Sequence, residues 1–387
     1  MSYRTVLSVI PALVISIVGC GSSSAPSGAA PTTSPTDTKP PIRAAELGTG
    51  DRSPDSVALT EVAGEAAGLK TPRDLAFNPL RPDELWVLNL GDESTVIIHD
   101  ASTEGRTAER RKDGYALHFM AKPSAIDFGA ADTTIGLPGT FATTGESRNT
   151  YDDTKAANDF MGPALWSSDL SIFAKENPNG LGSHLDMLHN SPLGMGIAHQ
   201  EANIYWVFSG LSNSLVKYDF KRDNGVGNDD HSDGESYQYA TGQVKYSQGV
   251  PSHLFFHASD AMLYVADTGN SRVARLDTTA GTKGKTLPSK EPMAVHVQMN
   301  GTSLVDIVSA GSGLLQQPSG IEMRNEFIYV SDNATSRITA FTLAGEQVNY
   351  LDTGLPSGSL AGMNFGPDGK LYLVDMIGHR VLRIDPK

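Results

Sequence analysis

Cysteine is nearly absent from this chain: Cys20 is the only one in 387 residues. A disulfide framework and a cysteine-rich metal cage are therefore excluded. Long apolar runs are also missing. The one candidate, Val6–Val18, is too short to span a bilayer comfortably. Basic charge is scarce, with 30 Lys and Arg against 44 Asp and Glu and a net charge of -14. No basic cluster interleaved with aromatics occurs, which argues against nucleic acid and against direct docking on anionic lipid. Acidity leaves room for bound cations. No Gly-x-Ser-x-Gly elbow, His-Glu-x-x-His helix or phosphate loop is present.

What the chain does contain is a repeated phrase. Tyr264-Val-Ala-Asp267 is followed five residues later by Arg272-Val273. Tyr329-Val-Ser-Asp332 precedes Arg337-Ile338 and Tyr372-Leu-Val-Asp375 precedes Arg380-Val381 at the same spacing. Looser copies stand at Trp86-Val-Leu-Asn89, Phe141-Ala-Thr-Thr144 and Trp206-Val-Phe-Ser209. A period of roughly 40–65 residues built from short strands and turns marks a radial β repeat.

A second phrase precedes each copy and begins with proline. It reads Pro72-Arg-Asp-Leu75, Pro123-Ser-Ala-Ile126, Pro192-Leu-Gly-Met195, Pro251-Ser-His-Leu254 and Pro318-Ser-Gly-Ile321. The sixth copy, Leu360-Ala-Gly-Met363, lacks the proline. Proline suits the first residue of a strand because the ladder needs no N–H there. Four strands per copy and six copies predict an all-β, six-bladed propeller of four-stranded antiparallel blades. The last copy ends at Lys387 without a fourth strand, and Val57-Ala-Leu-Thr-Glu-Val62 alternates as a strand with no blade of its own. This segment is expected to complete the last blade and remove an open edge. The repeated Asp and Arg read as scaffold, the Asp bonding turn backbone and the Arg burying its stem between blades.

Across residues 57–387 this arrangement resembles the NHL-repeat β-propellers. The resemblance implies the fold, and with it either a binding platform or, less commonly, an enzyme. NHL-like amidating lyases hold zinc through histidines directly after the proline, where this chain has Arg73, Ser124, Leu193, Ser252 and Ser319. Calcium-dependent lactonase propellers place Asn around an axial calcium, often from Pro-Asn-Gly, where this chain has Pro318-Ser-Gly.

Residues 1–19 read as a secretion signal: Arg4, the apolar run, then Ile17-Val-Gly-Cys20. That ending resembles a bacterial lipoprotein box, which implies a lipidated Cys20 as the mature first residue. Gly21 follows it, not the Asp that resembles an inner-membrane retention signal, so the outer membrane is the expected address. Residues 20–56 are expected to form a tether, with Gly21–Pro41 too rich in Gly, Ser, Ala, Pro and Thr to fold. The rest has no second apolar span and is expected to be soluble, held to the membrane by lipid alone.

Antiparallel blades sort the candidate residues onto two faces. The loops into the proline phrases and after the Tyr-Val-x-Asp phrases share one face, called upper. The third residues of the proline phrases, Asp74, Ala125, Gly194, His253, Gly320 and Gly362, are expected to line the upper axial mouth. A ligand pocket is expected there from Asp74, His253, Glu146 and Arg148, with His118 and His189 ending outer strands on that side. The long stretch after Phe141, through Gly145 to about Met161 and on to Gly182, is the candidate lid. On the lower face, His199 and His257 are expected in equivalent turns. The loop Asp223–Gly234 offers Asp229, Asp230, His231 and Asp233, a set suited to Ca or Zn. On a strand His184 and Asp186 share one side and His189 takes the other, so these three are not expected to grip one ion. The leading expectation is an envelope platform for a protein, peptide or glycan. The alternative is a metal-dependent lyase or hydrolase with His253 as base or ligand, Asp74 as its partner and Arg148 as an anion clamp.

Overall fold

The structure is a computed structural model that describes residues 43–129, 139–150, 155–176 and 180–387. Cys20, the secretion signal and Gly21–Pro41 lie outside the described residues, as do parts of the candidate lid. The first strand, β1 (Val57–Ala63), pairs with none of the strands of blade one. Blade one is β2 (Pro72–Phe77), β3 (Leu85–Asn89), β4 (Ser94–His99) and β5 (Thr107–Arg111). A short helix, α1 (Ala116–Phe119), leads into blade two: β6 (Pro123–Phe128), β7 (Thr140–Gly145), β8 (Ala164–Ser167) and β9 (His184–Met187). Blade three begins with β10 (Gly194–Glu201), β11 (Ile204–Ser209), β12 (Ser214–Asp219) and β13 (Glu235–Tyr239). Blade four has β14 (Leu254–His257), β15 (Met262–Asp267) and β16 (Arg272–Asp277), then a hairpin, β17 (Thr282–Thr286) and β18 (Val295–Asn300), then β19 (Leu304–Val308). Blade five is β20 (Pro318–Arg324), β21 (Phe327–Asp332), β22 (Arg337–Thr342) and β23 (Gln347–Asp352). Blade six is β24 (Leu360–Phe365), β25 (Leu371–Asp375) and β26 (Arg380–Pro386), completed by β1.

The ring closes as the sequence implies. β1 pairs antiparallel with β26, Leu59 opposite Ile384 and Glu61 opposite Leu382. The first strand of every blade lies inside, against the first strands of its two neighbours. The Trp or Tyr of the repeated phrase packs into the adjoining blade. Trp86 meets Phe128 and Phe141 of blade two edge-on at 5.6 and 4.9 Å, and Tyr372 meets Phe77 of blade one at 4.9 Å. Burying one large apolar side chain contributes roughly 1.5–3 kcal/mol, so these rings are the main glue between blades.

The repeated Asp is scaffold. Asp267 accepts the Lys245 N–H at 3.0 Å and Arg272 Nε–H at 2.8 Å. Asp332 accepts the N–H groups of Gln316 and Gln317, and Asn89 accepts that of Lys70. Each therefore pins the loop that enters its own blade.

Three registers differ from the sequence expectation. In blade three Ile197 pairs with Val207 and Gly194 with Ser209, so Gly194-Met-Gly-Ile197 takes the place of the proline phrase and Pro192 lies in the loop. In blade two Ile126 pairs with Thr143, so Ala142–Gly145 is the true copy of Trp86–Asn89. The hairpin β17–β18 leaves blade four and adds to blade three, β18 running parallel to β13. Blade three thus has six strands, and its new edge strand carries Lys283 and Lys285, charges that discourage further pairing. Residues 43–56, expected in the tether, pack on the ring: Leu47 is fully buried and Glu46 accepts the Tyr329 hydroxyl at 2.7 Å.

Candidate functional site

The axis is lined by the third and fifth residues counted from the start of each entry phrase, which share one side of an extended chain; His253 stands just before β14. The third residues are Asp74, Ala125, Gly196, His253, Gly320 and Gly362. Gly196 replaces the expected Gly194 because of the two-residue shift. Small residues dominate because the strands converge here: a Cβ on Gly362 would collide with Asp74.

Asp74 is the hub of the upper axis. One carboxylate oxygen accepts the Leu75 N–H at 2.9 Å and the other the Ile126 N–H of blade two at 2.8 Å. His253 Nδ1, from blade four, lies 3.3 Å from Asp74 Oδ2. The expected pairing of these two is present, but it crosses the channel as a tie. A second tie lies above it. Arg73 Nη2 donates to Glu146 Oε2 at 2.6 Å, and the Tyr246 hydroxyl and the Gly249 N–H donate to Glu146 Oε1 at 2.5 and 2.7 Å. This joins blades one, two and four over the axis. The upper mouth is closed by these ties.

Beneath them is an axial chamber of about 130 Å³, lined from all six blades. Its upper residues, Asp74 and His253, are buried; its lower ones, Asp127, His199, Phe255, Phe256, Glu322 and Asn364, are half-buried. The chamber therefore meets solvent on the lower face. Burial pushes the Asp127 carboxyl up to about 7, against the favourable His199 N–H, and the Asp74 charge adds to the rise. Burial likewise pushes Glu322 up to about 8, the Asn364 amide opposing and Asp127 and Asp74 adding. Asn364 Nδ2 donates to Glu322 Oε1 at 2.8 Å. Asp127 and Glu322 are fifth residues of their strands. Sequence reasoning missed both; a two-residue step from Ala125 and Gly320, the third residues of their own phrases, is the signal that could have found them.

Glu146 and Arg148 do share a pocket, outside the channel on the upper face. It holds about 530 Å³ and is walled by Arg148, Leu193, Tyr246 and Gln248 over the Arg73–Glu146 tie. Arg148 grips Asp159 through two bonds of 2.6 and 2.8 Å, folding the described part of the blade-two loop on itself. Arg148 is thus placed with Glu146, away from His253.

His118 and His189 join a different cluster, between blades two and three. Their Nε2 atoms face each other at 3.2 Å, Phe160 stacks on His189 at 3.6 Å, and Glu291 of the inserted hairpin pairs with His189 Nδ1. His231 turns inward from its acidic loop to place Nδ1 2.8 Å from Asp186 Oδ1. His184 and His189 each lie about 6 Å from His231, at 5.8 and 6.0 Å between ring centres. Burial, then the neighbouring imidazoles, push His118 down to about 3; burial and His231 do the same to His184. Burial pushes Asp186 up to about 7, while Asp186 outweighs burial at His231 and holds its imidazole above the usual range.

The expected lower-face metal set is dispersed. Asp229, Asp230 and Asp233 face solvent while His231 is buried. His199 and His257 are not equivalent: His199 aligns with Phe256, so the one-residue offset sends them to opposite sides of their strands. His199 lines the chamber and His257 bonds Asp260 at 2.8 Å. Among the described residues no group of three or more His, Cys, Asp or Glu is arranged to hold a metal ion.

No protein-family description matches this chain, and no curated protein matches it. Solved structures do. An auxiliary nutrient binding protein from Bacteroides ovatus ATCC 8483 superposes with a TM-score of 0.52 at 13% identity, over 86% of this chain and 77% of that one. One of the same description from Bacteroides thetaiotaomicron VPI-5482 gives 0.52 at 12% identity, over 82% and 69%. A luciferin-regenerating enzyme gives 0.50 at 12%, over 85% and 95%. At such identities the likeness is one of fold: this chain is a six-bladed β-propeller.

Proposed function

We propose that the chain is an exported, lipid-anchored propeller of the NHL-repeat type that serves as a binding platform in the bacterial envelope. Its upper face receives a protein, peptide or glycan. The observation that carries this reading is the upper pocket of about 530 Å³. It is open, it mixes apolar Leu193 with the polar Gln248 and Arg148, and its floor is a tied Arg73–Glu146–Tyr246 set rather than a free nucleophile or base. The binding roles named for two proteins of like fold fit it. Ile17-Val-Gly-Cys20 and the Gly/Ser/Pro-rich stretch after it support the anchor.

Peptide and glycan arrays probed with the full-length chain test the platform. Gln248→Trp, which fills the pocket, is expected to weaken any captured ligand at least tenfold; unchanged capture removes the pocket from the account. Cys20→Ala is expected to move the chain from the membrane to the soluble fraction. Retention in the membrane fraction rejects lipidation as the anchor.

A second reading, a lyase or hydrolase, has one observation in its favour. The Asp74–His253 pair leaves His253 Nε2 buried and without a hydrogen-bond partner at the chamber wall. That is the disposition of an oriented general base. Arg148 does not join it. His253→Ala is expected to abolish any turnover found while sparing upper-pocket binding, and retained turnover ends this reading.

A further inference from the structure

The axial chamber is unusual in what balances its charge. Asp74, Asp127 and Glu322 reach it from three different blades, and no Lys or Arg is among the described residues that line it. Buried carboxylates require a compensating positive charge or a proton. Asp74, Asp127 and Glu322 supply the carboxyl oxygens of the wall, and a bound cation would take the place of the protons that Asp127 and Glu322 otherwise hold. Asp74 Oδ2 lies 3.3 Å from His253 Nδ1, so Nε2 is the ring nitrogen left for the chamber. That Nε2 is buried without a partner on a residue only 5% exposed. Glu322 Oε1 accepts the Asn364 amide at 2.8 Å, and Asp127 accepts the N–H groups of Phe128 and His199 at 2.8 and 2.6 Å. His199 and Asn364 also reach the wall, and the remaining lining is apolar, with Phe255 on the same side of its strand as His253.

Carboxyls from three blades, an apolar wall and no Lys or Arg among the described lining residues describe the complement of one chemical group. We infer that the axial chamber, entered from the lower face, is a recognition site for an organic ammonium group. The ammonium would donate to Glu322, Asp127 and His253 Nε2, and its carbon stem would lie against the apolar wall that includes Phe255. A volume of about 130 Å³ admits a primary ammonium with a short alkyl stem, the space of about four water molecules. A metal ion fits less well, since the described acids and histidines do not converge as a ligand set. This site is separate from the upper pocket and does not depend on the platform reading.

Calorimetric titration of the full-length chain in detergent tests it, with 1,4-diaminobutane as probe and 1,4-butanediol as its neutral counterpart. The diamine is expected to bind at least tenfold more tightly than the diol. Glu322→Gln is expected to cost tenfold or more, and Phe255→Leu severalfold. Gln248→Trp, in the upper pocket, is expected to leave diamine binding unchanged. Should Glu322→Gln fail to fold, Asp127→Asn serves in its place. Equal binding of diol and diamine, or none of either, overturns the proposal. So does Ca²⁺ or Zn²⁺ that binds the chamber and excludes the diamine, which would make it a metal site.

Discussion

Two polar clusters sit in this propeller, and they solve the problem of buried charge in different ways. The cluster between blades two and three is largely self-contained. Glu291 has His189, Asp186 has His231, and Phe160 and Phe119 stack on the imidazoles. Its members come from α1, β9, an acidic loop and the inserted hairpin, so satisfying them locks those pieces together. The axial cluster is built from equivalent positions of a symmetric ring and is left short of positive charge. His253 Nε2 has no partner and Asp127 and Glu322 are driven toward their protonated forms. The difference is one of degree: the rim also keeps Asp186 Oδ2 buried without a partner, but most of its polar groups face one another, whereas the axial carboxyls come from three blades with no Lys or Arg among the described lining residues.

Substitutions can tell the two clusters apart. The largest effect is expected at Asp74, which belongs to both scaffold and chamber. Asp74→Ala orphans the buried Leu75 and Ile126 N–H groups, at about 1–3 kcal/mol each. A loss of about 3 kcal/mol should appear in the urea midpoint, and Asp74→Asn, which keeps an acceptor, should lose less. Equal losses would mean that the carboxylate charge, not the backbone bonds, matters there.

At the rim, Glu291→Ala removes the charged partner of His189 and is expected to cost about 2 kcal/mol. Its signature is local: faster amide exchange at the tip of the β17–β18 hairpin, residues 287–294, with the axial strands unaffected. Uniform acceleration around the ring would show that the cluster is not a separate tie. Arg148→Ala, at a half-exposed ion pair with Asp159, should leave the urea midpoint unmoved. A clear destabilisation there would make the blade-two loop part of the scaffold.

The sequence made the ring readable because a propeller repeats its strand chemistry. The Trp or Tyr, the Asp or Asn after it and the proline before it each perform one task in several blades. It misled where a local substitution kept the look of the phrase but moved its register, as Pro192 does two residues ahead of Gly194. The axial pair Asp74–His253 was readable for the same reason as the ring. Asp127 and Glu322 needed only the period of two. The hairpin was not readable, because β17 and β18 are short polar strands whose partner, β13, belongs to the preceding blade. The Asp186–His231 contact was equally hidden, since a long acidic loop gives no periodicity from which to place its one buried histidine.

The two clusters also oppose each other in pH. His118 and His184 stay neutral in the folded chain down to about 3, whereas their ordinary value is 6.5. Between those limits the unfolded chain binds more protons, so their contribution is complete above about 6.5 and is lost as pH falls. Asp127 and Glu322 keep protons up to about 7 and about 8, against ordinary values of 3.8 and 4.5. There the folded chain binds more protons, so their contribution is complete below about 4 and is lost as pH rises through 8. Asp186, also raised to about 7, lies in the rim cluster but shares the axial trend. The direct test is the urea midpoint from pH 4 to 9 for wild type, His118→Phe and Glu322→Gln. The account predicts that His118→Phe flattens the acid limb, by up to about 1.4 kcal/mol per pH unit, and that Glu322→Gln flattens only the alkaline limb. If each variant shifts the whole curve evenly, or flattens the other's limb, the division into an imidazole-rich rim and a carboxyl-rich axis is wrong.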